Sequence, residues 1–152
     1  MQFSENEDML PLAPQTRSGA LIQEIEQPYL DQFSFYKTNL VKCVPLKDDK
    51  IRYPQTHEME KCYPNLEDEI NDLKPSVIFL LGKQVATFVL KTVSDEDFTL
   101  SENFDYIPIE IDGILHVPVH HPSFVLVYKR KFLYKYIENI QSLFLTALQK
   151  CS

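Results

Sequence analysis

Residues 76–81 read SVIFLL, a continuous apolar run that is bounded by Pro75 and Gly82. An uninterrupted apolar run of this length is typical of a strand that is buried on both faces of a parallel sheet. Residues 56–73 precede the run and carry apolar side chains at helical spacing, and residues 83–91 follow it as a second predicted helix. This stretch therefore predicts a helix, a buried strand and another helix.

The N-terminal side of this unit continues the alternation of helices and strands. Residues 18–27 place apolar side chains on one face and stop before Pro28, which predicts a short helix. Residues 33–41 (FSFYKTNLV) are rich in aromatic and β-branched residues and predict a strand. Residues 44–55 contain two prolines and two aspartates and are predicted to form a loop.

The C-terminal side predicts a hairpin and a long helix. Residues 107–111 and 114–119 flank Asp112-Gly113, a dipeptide that favours a tight hairpin turn. From about residue 130 to residue 149, apolar side chains form one broad helical stripe. The order of elements therefore predicts an α/β fold, a three-layer α/β/α sandwich around a mainly parallel sheet, in which ligands bind at the carboxyl ends of the strands.

Length and composition indicate one domain over residues 1–152. The chain has 152 residues, 44% of them hydrophobic, and three glycines, which is enough for a single buried core. It has no apolar run of about 20 residues and no signal-like N-terminus, so we expect a cytoplasmic protein that does not enter a membrane. The three cysteines do not form a disulfide framework, which fits a reducing compartment.

The charge distribution leaves two interpretations open. A net charge of -7 is unusual for a protein that binds nucleic acid. However, Lys129, Arg130, Lys131 and Lys135 form a local basic cluster. The cluster is either a contact for phosphates or a solvated helix face.

The segment Val119-His120-His121-Pro122-Ser123 is the strongest candidate site. It places an imidazole at the end of a predicted strand and just before a predicted helix. A histidine there can donate a hydrogen bond to a developing anion, and neighbouring backbone N–H groups can hold a phosphate, which indicates chemistry on a nucleotide. The alternative is a structural histidine pair at a sheet edge.

Four segments, taken together in their order and spacing, resemble the uracil-DNA glycosylase superfamily. The closest branch is the one with iron-sulfur enzymes of bacteria and archaea, and the resemblance covers most of residues 16–140. The segments are YKTNLVKCVP at residues 36–45, EMEKCYPNL at residues 58–66, KPSVIFLLGK at residues 74–83 and HPS at residues 121–123.

The resemblance implies a role for each matching residue. Asn39 would read the edge of a flipped base, because an amide offers both an acceptor and donors. His121 would hydrogen-bond the carbonyl of the leaving base, with His120 as the fallback. Ser123 would contact a phosphate of the target strand. Phe124 lies, with the two residues that follow it, where the family inserts an apolar wedge.

The first family motif has no clear counterpart here. Family members position the attacking water with a side chain of a glycine-proline loop, and a stacking aromatic follows that loop. Here Glu5 is the candidate for orienting water, and Pro14 stands near the expected aromatic. We expect the first strand of the domain to be truncated or degenerate.

The resemblance also implies a four-iron, four-sulfur cluster, for which this sequence lacks two ligands. Cys43 and Cys62 match cluster positions, but the family's N-terminal C-x-x-C pair is absent. We therefore expect no cofactor and no metal.

Two functions follow as hypotheses. The first is a DNA repair glycosylase that acts on uracil or another altered base in single- or double-stranded DNA, with Lys129 and Arg130 neutralising phosphates. The second is a catalytically weak or inactive module on the same fold that binds nucleic acid or a protein partner.

Overall fold

The computed structural model describes residues 11–41, 46–47, 50–51 and 54–151. Short 3-10 turns at Gln27–Tyr29 and Arg130–Phe132 connect some of the regular elements. In chain order, the helices and strands are α1 Arg17–Glu26, β1 Leu46–Lys47, β2 Lys50–Ile51, α2 Thr56–Leu73, β3 Val77–Leu81, α3 Lys83–Val93, β4 Ile109–Ile111, β5 Ile114–Val119, α4 Pro122–Tyr128 and α5 Leu133–Cys151.

The described part of the main sheet has three strands in the order β3-β5-β4. β3 pairs with β5 in parallel, from Val77 opposite Leu115 to Leu81 opposite Val119. β4 pairs with β5 antiparallel, so this sheet is mixed. The predicted strands at residues 76–81 and 114–119 are confirmed, and so is the hairpin between β4 and β5.

The hairpin turn explains the use of Asp112 and Gly113. Both residues have positive φ values, 52° and 81°, as a turn matched to the right-handed twist of two strands requires. Strand β4 is shorter than the predicted 107–111, since pairing begins at Ile109 and Ile107 is 77% exposed.

The predicted strand at residues 33–41 is wrong, because this segment joins none of the described strands. The segment alternates as a strand does, with Phe33 and Phe35 half-buried and Ser34 exposed. Both phenylalanine rings pack on Phe144 of α5, with centroids 5.7 and 5.4 Å away. Aromatic composition therefore serves ring packing here and not backbone pairing.

The predicted loop at residues 44–55 also needs correction, since β1 and β2 form a small antiparallel ladder inside it. The other residues of that prediction at 44–45, 48–49 and 52–53 lie outside the described part of the chain. The helix predicted at 56–73 is confirmed, and it runs through Pro64 without a restart. A Gln55–Glu58 capping box begins this helix.

Side chains of β3 alternate between two hydrophobic clusters. Phe79 and its neighbours on the same face pack with α1, α4 and α5 around Tyr136 and Phe144. Leu80 and Ile78 belong instead to a second cluster with α2 and α3. Since successive side chains of a strand point to opposite faces, the sheet has a hydrophobic core on both sides.

The C-terminal helical region is divided differently from the prediction. Helix α4 begins at Pro122, and Lys129 ends it with φ -131°. A 3-10 turn then leads into α5. The helix was predicted from residue 130, but regular α-helical structure begins only at Leu133. Proline at the first position of α4 favours a helix that begins at Pro122, because the first residue of a helix needs no partner for its backbone N–H. Within the described residues, no helix is long and apolar enough to cross a membrane.

Candidate active site

The candidate site lies where β3 and β5 end. The Gly82 N–H donates a hydrogen bond of 2.8 Å to the Val119 carbonyl, which joins the two strand ends. Gly82 has φ +97°, and a Cβ atom built on it would stand 3.6 Å from the Cβ of His121. This backbone conformation favours glycine. The short distance places the start of α3 directly beside His121.

His121 is the N-cap of α4. Its backbone is extended, and its Nδ1 accepts a hydrogen bond from the Ser123 N–H at 3.1 Å. The Ser123 hydroxyl oxygen lies 2.8 Å from the same nitrogen. A ring nitrogen that accepts a hydrogen bond carries no proton, so the proton of the neutral imidazole is on Nε2.

Burial keeps this imidazole neutral. The ring is half-buried, and desolvation lowers the pKa of His121. Both hydrogen-bond contacts described for the ring involve Nδ1. The geometry therefore presents the Nε2–H of His121 as a donor at the carboxyl end of the sheet. The contacts of Ser123 with Nδ1 hold the ring in this orientation.

Hydrogen bonds hold His120 through its ring, its backbone N–H and its backbone carbonyl. The Tyr106 hydroxyl lies 2.6 Å from His120 Nδ1 and accepts the His120 N–H at 3.2 Å. The Tyr136 hydroxyl donates to the His120 carbonyl at 2.7 Å. Burial raises the pKa of Tyr106 and of Tyr136, so both hydroxyls keep their protons and can donate.

The ring of His120 belongs to an aromatic cluster. It stacks on Phe124 at 5.5 Å and 15°, and it meets the Phe104 ring edge-on at 5.3 Å. Burial, and then the charge of Lys129, lower the pKa of His120. These contacts match the structural role that the sequence left open for one histidine of the pair.

Asn39 is exposed and directly precedes the buried Leu40. Leu40 belongs to the cluster that contains Leu80, near the end of β3. An ion pair of 2.8 Å between Lys37 and the buried carboxylate of Glu26 fixes the same segment to α1. Cooperation between Asn39 and His121 stays a prediction.

A cavity of about 580 Å³ lies beside this segment, and sequence reasoning missed it. Its lining includes Pro14, Phe35, Tyr36, Thr38 and Glu69, and it does not include His121. The hydrogen bond that Tyr36 donates to Glu69 raises the pKa of Tyr36. The cavity thus adjoins both Asn39, through Thr38, and the position where the resemblance expected a stacking aromatic.

The residues predicted to contact DNA differ in their exposure. Ser123 and Phe124 are exposed, and Phe124 keeps 40% of its surface accessible. Val125, the residue after it, is fully buried in the core. Lys129 is half-buried and Arg130 is exposed.

The described residues do not fit an iron-sulfur cluster. Cys62 is a half-buried free thiol on α2, while Glu5 and Cys43 lie outside the described residues. No group of three or more His, Cys, Asp or Glu side chains in the described ranges could hold a metal ion. The sequence has three cysteines in all, whereas such a cluster takes four thiolates.

Tyr106 and Tyr136 are the contacts of His120 that sequence reasoning missed. Tyr136 stands within the apolar stripe of the last helix. A tyrosine on a buried stripe needs a partner for its hydroxyl, so its presence there was the available signal. Tyr106 gave no comparable signal, because its contact with His120 depends on the fold.

Comparison with known proteins defines the family. Residues 7–144 match the family described as the Uracil DNA glycosylase superfamily, and the chain belongs to this superfamily. Among individual relatives, the chain is 30% identical over 95 residues to the Type-4 uracil-DNA glycosylase of Archaeoglobus fulgidus. The aligned region covers 60% of this chain and 46% of that protein. This chain thus matches less than half the length of its relative.

Proposed function

We propose that this protein hydrolyses the N-glycosidic bond of a flipped uracil, or of another altered base, in DNA. The observation that carries the proposal is the Nδ1 contact of His121, which leaves an Nε2–H donor at the end of β5. Membership in the superfamily supports DNA as the partner and base excision as the process.

The chemistry needs one well-placed donor. When the bond between base and sugar breaks, its electron pair goes to the base, and the oxygen of a water molecule forms the new bond to the sugar carbon. The proton that this water loses is balanced by protonation of the departing base anion, so the products are a sugar hydroxyl and a neutral base. A neutral imidazole stabilises the charge that develops on the base carbonyl without giving up its proton. A donor of this kind lowers such a barrier by about 3–4 kcal/mol.

Other residues would supply recognition and the water. We assign base reading to Asn39 and orientation of the water to Glu5, following the family motifs. Ser123 would act as a positioning residue, since its N–H and hydroxyl both approach His121 Nδ1, and its phosphate contact remains a further prediction.

We also propose a fold and a cellular location for this protein. The hydrophobic clusters on both faces of the sheet support a three-layer α/β/α domain over residues 1–152. We propose a cytoplasmic enzyme without an iron-sulfur cluster, because the sequence supplies three cysteines. A brown purified protein with about four irons per chain would contradict the last point.

The test is release of uracil from single-stranded DNA in a gel assay for abasic-site cleavage. We expect His121→Ala and Asn39→Ala each to slow release by about 10- to 1,000-fold. His57→Ala is the matched control, since His57 is an exposed histidine on α2, and it should leave the rate unchanged. The assay also includes a form with an added N-terminal strand and water-positioning loop.

Two outcomes would contradict the proposal. Release that is unaffected by His121→Ala would remove His121 from the chemistry. No release from either form, together with retained DNA binding, would favour a binding module on the glycosylase fold.

A further inference from the structure

Phe104 is held in a strained backbone conformation at the centre of an aromatic cluster. Its φ is 60°, in the left-handed region, which residues with a bulky side chain rarely adopt. The side chain is 1% exposed, and its ring meets the rings of His120 and Tyr136 edge-on, with centroids 5.3 and 5.6 Å away. Strain of this kind persists only where the surrounding structure enforces it, and it is concentrated at functional sites.

Hydrogen bonds enforce this conformation from two sides. The Phe104 N–H donates to the Ser101 carbonyl at 3.0 Å, which closes a turn. The Phe104 carbonyl accepts from the Asn139 side chain at 2.7 Å and from the Tyr106 N–H at 3.1 Å. Asn139 stands three positions after Tyr136 on α5, so the two side chains share one face of this helix. One face of α5 therefore holds both this turn and, through Tyr136, the end of β5.

Tyr106 connects the turn to the histidine pair. Its hydroxyl accepts the His120 N–H and, because burial raises its pKa and keeps it protonated, can donate to His120 Nδ1. Tyr136 donates to the His120 carbonyl, which belongs to the same planar peptide group as the His121 nitrogen. The two tyrosine hydroxyls thus fix the backbone from which the His121 side chain projects.

We propose that residues 101–106, together with Asn139, form a brace that positions His121 for the proposed reaction, and that Tyr106 is its main positioning residue. The Ser123 contact sets the orientation of the His121 ring, whereas the brace sets the place from which the ring projects. Misplacing a reacting group by about 1 Å costs about 100-fold in rate. The inference rests on the proposed function in taking His121 as the donor.

The first test compares Tyr106→Phe with Tyr134→Phe in single-turnover release of uracil from single-stranded DNA. Tyr106→Phe should lower the maximal rate by about 10- to 100-fold. It should leave the half-saturating enzyme concentration unchanged, because a positioning residue acts on the chemical step and not on DNA binding. Tyr134 is exposed on α5, so Tyr134→Phe should behave as the wild type does. An unchanged maximal rate in Tyr106→Phe would overturn the proposal.

Two amides on α5 provide a matched pair for the outer part of the brace. Asn139 donates to the Phe104 carbonyl, and Gln141 donates to the Ile25 carbonyl at 3.2 Å. Alanine at either position removes a bond from α5 to a backbone carbonyl, but only Asn139→Ala loosens the strained turn. Asn139→Ala should lower the maximal rate about tenfold, and Gln141→Ala should not change it. Asn139→Asp keeps the shape without an N–H donor and should act as Asn139→Ala does.

Equal maximal rates for Asn139→Ala and Gln141→Ala would contradict the brace. The double variant Tyr106→Phe with Asn139→Ala adds a further check, because residues of one hydrogen-bonded network are not additive. Its loss of rate should be smaller than the product of the two single losses. A loss equal to that product would show that Tyr106 and Asn139 act independently, and it would overturn the proposal.

Imidazole ¹⁵N spectra separate this inference from the proposed function, because they need no activity. Tyr106→Phe and Asn139→Ala should both shift the His121 ring signals, whereas Tyr134→Phe and Gln141→Ala should not. Urea unfolding of each variant shows that it is folded under the same conditions. Unshifted His121 signals would overturn the brace even if uracil is released. Shifted signals without uracil release from the wild type would support the brace and contradict the proposed function.

Discussion

The two regions proposed to meet at the target base are held by different forces. His120 and His121 follow a strand that is paired on both sides, and two tyrosine hydroxyls and a helix cap fix them further. Residues 33–40, which lead to Asn39, are held by ring packing on Phe144 and by the Glu26–Lys37 ion pair. The histidine segment is therefore fixed by strand pairing and directional hydrogen bonds, whereas aromatic packing and one ion pair contribute to holding the segment before Asn39.

The largest effect should come from Phe144→Ala. Phe144 is 3% exposed and contacts the rings of Tyr29, Phe33, Phe35 and Phe79. We expect the free energy of unfolding in urea to fall by about 3–5 kcal/mol, the usual cost of a large cavity. Leu145→Ala, at an exposed neighbour on α5, is the control and should cost much less.

The milder Phe144→Leu should distinguish the two regions by the hydrogen-exchange protection of their amides. Amides of residues 33–40 should lose protection before the amides of β5 do, because β5 is also held by backbone pairing with β3 and β4, whereas Phe33 and Phe35 pack directly on this ring. Equal loss of protection in both regions would show that they open as one unit.

A smaller effect is expected at the histidine side from Tyr136→Phe. The change removes the donor to the His120 carbonyl and leaves a part-buried acceptor without that partner, at a cost of about 1–3 kcal/mol. Tyr134→Phe is the control, because Tyr134 is exposed on the same helix. Identical unfolding curves for the two variants would mean that the hydroxyl of Tyr136 does not hold this segment.

Acid should produce the smallest effect. Burial lowers the pKa of His116, His120 and His121, so the unfolded chain binds more protons than the folded one below the ordinary histidine pKa of about 6.5. Stability should be level above that pH and fall as the pH drops toward the lowered values. His121→Gln should reduce this loss, and an unchanged pH profile would contradict the assignment.

Local patterns sufficed for the parts of the fold that are local. The apolar run of β3, the turn at Asp112-Gly113 and the stripe of α5 each depend on neighbours in sequence, and each prediction is confirmed. Residues 33–41 were misjudged because aromatic composition favours a strand and a packed extended segment equally. The outcome was decided by Phe144, more than a hundred residues away.

The same limit applies to the site. His121 was a candidate from His-Pro-Ser, because the segment puts an imidazole at the end of a predicted strand and beside a hydroxyl, whereas its role as the cap of α4 was not predicted. The protonation state of its ring could not be predicted, because it depends on which atoms approach Nδ1. The tyrosines that fix His120 are 14 and 16 residues away in sequence, and only the packing of α5 on the sheet brings Tyr136 to that carbonyl.

The most direct test of the central claim is the tautomer of His121, measured by ¹⁵N NMR of the imidazole nitrogens at neutral pH. We expect an unprotonated Nδ1 and a protonated Nε2, with a coupling or shift change at Nδ1 in Ser123→Ala. His57 provides the reference for an exposed ring. A His121 ring that carries its proton on Nδ1 would contradict the claim, because its Nε2 would then have no hydrogen to donate to the leaving base.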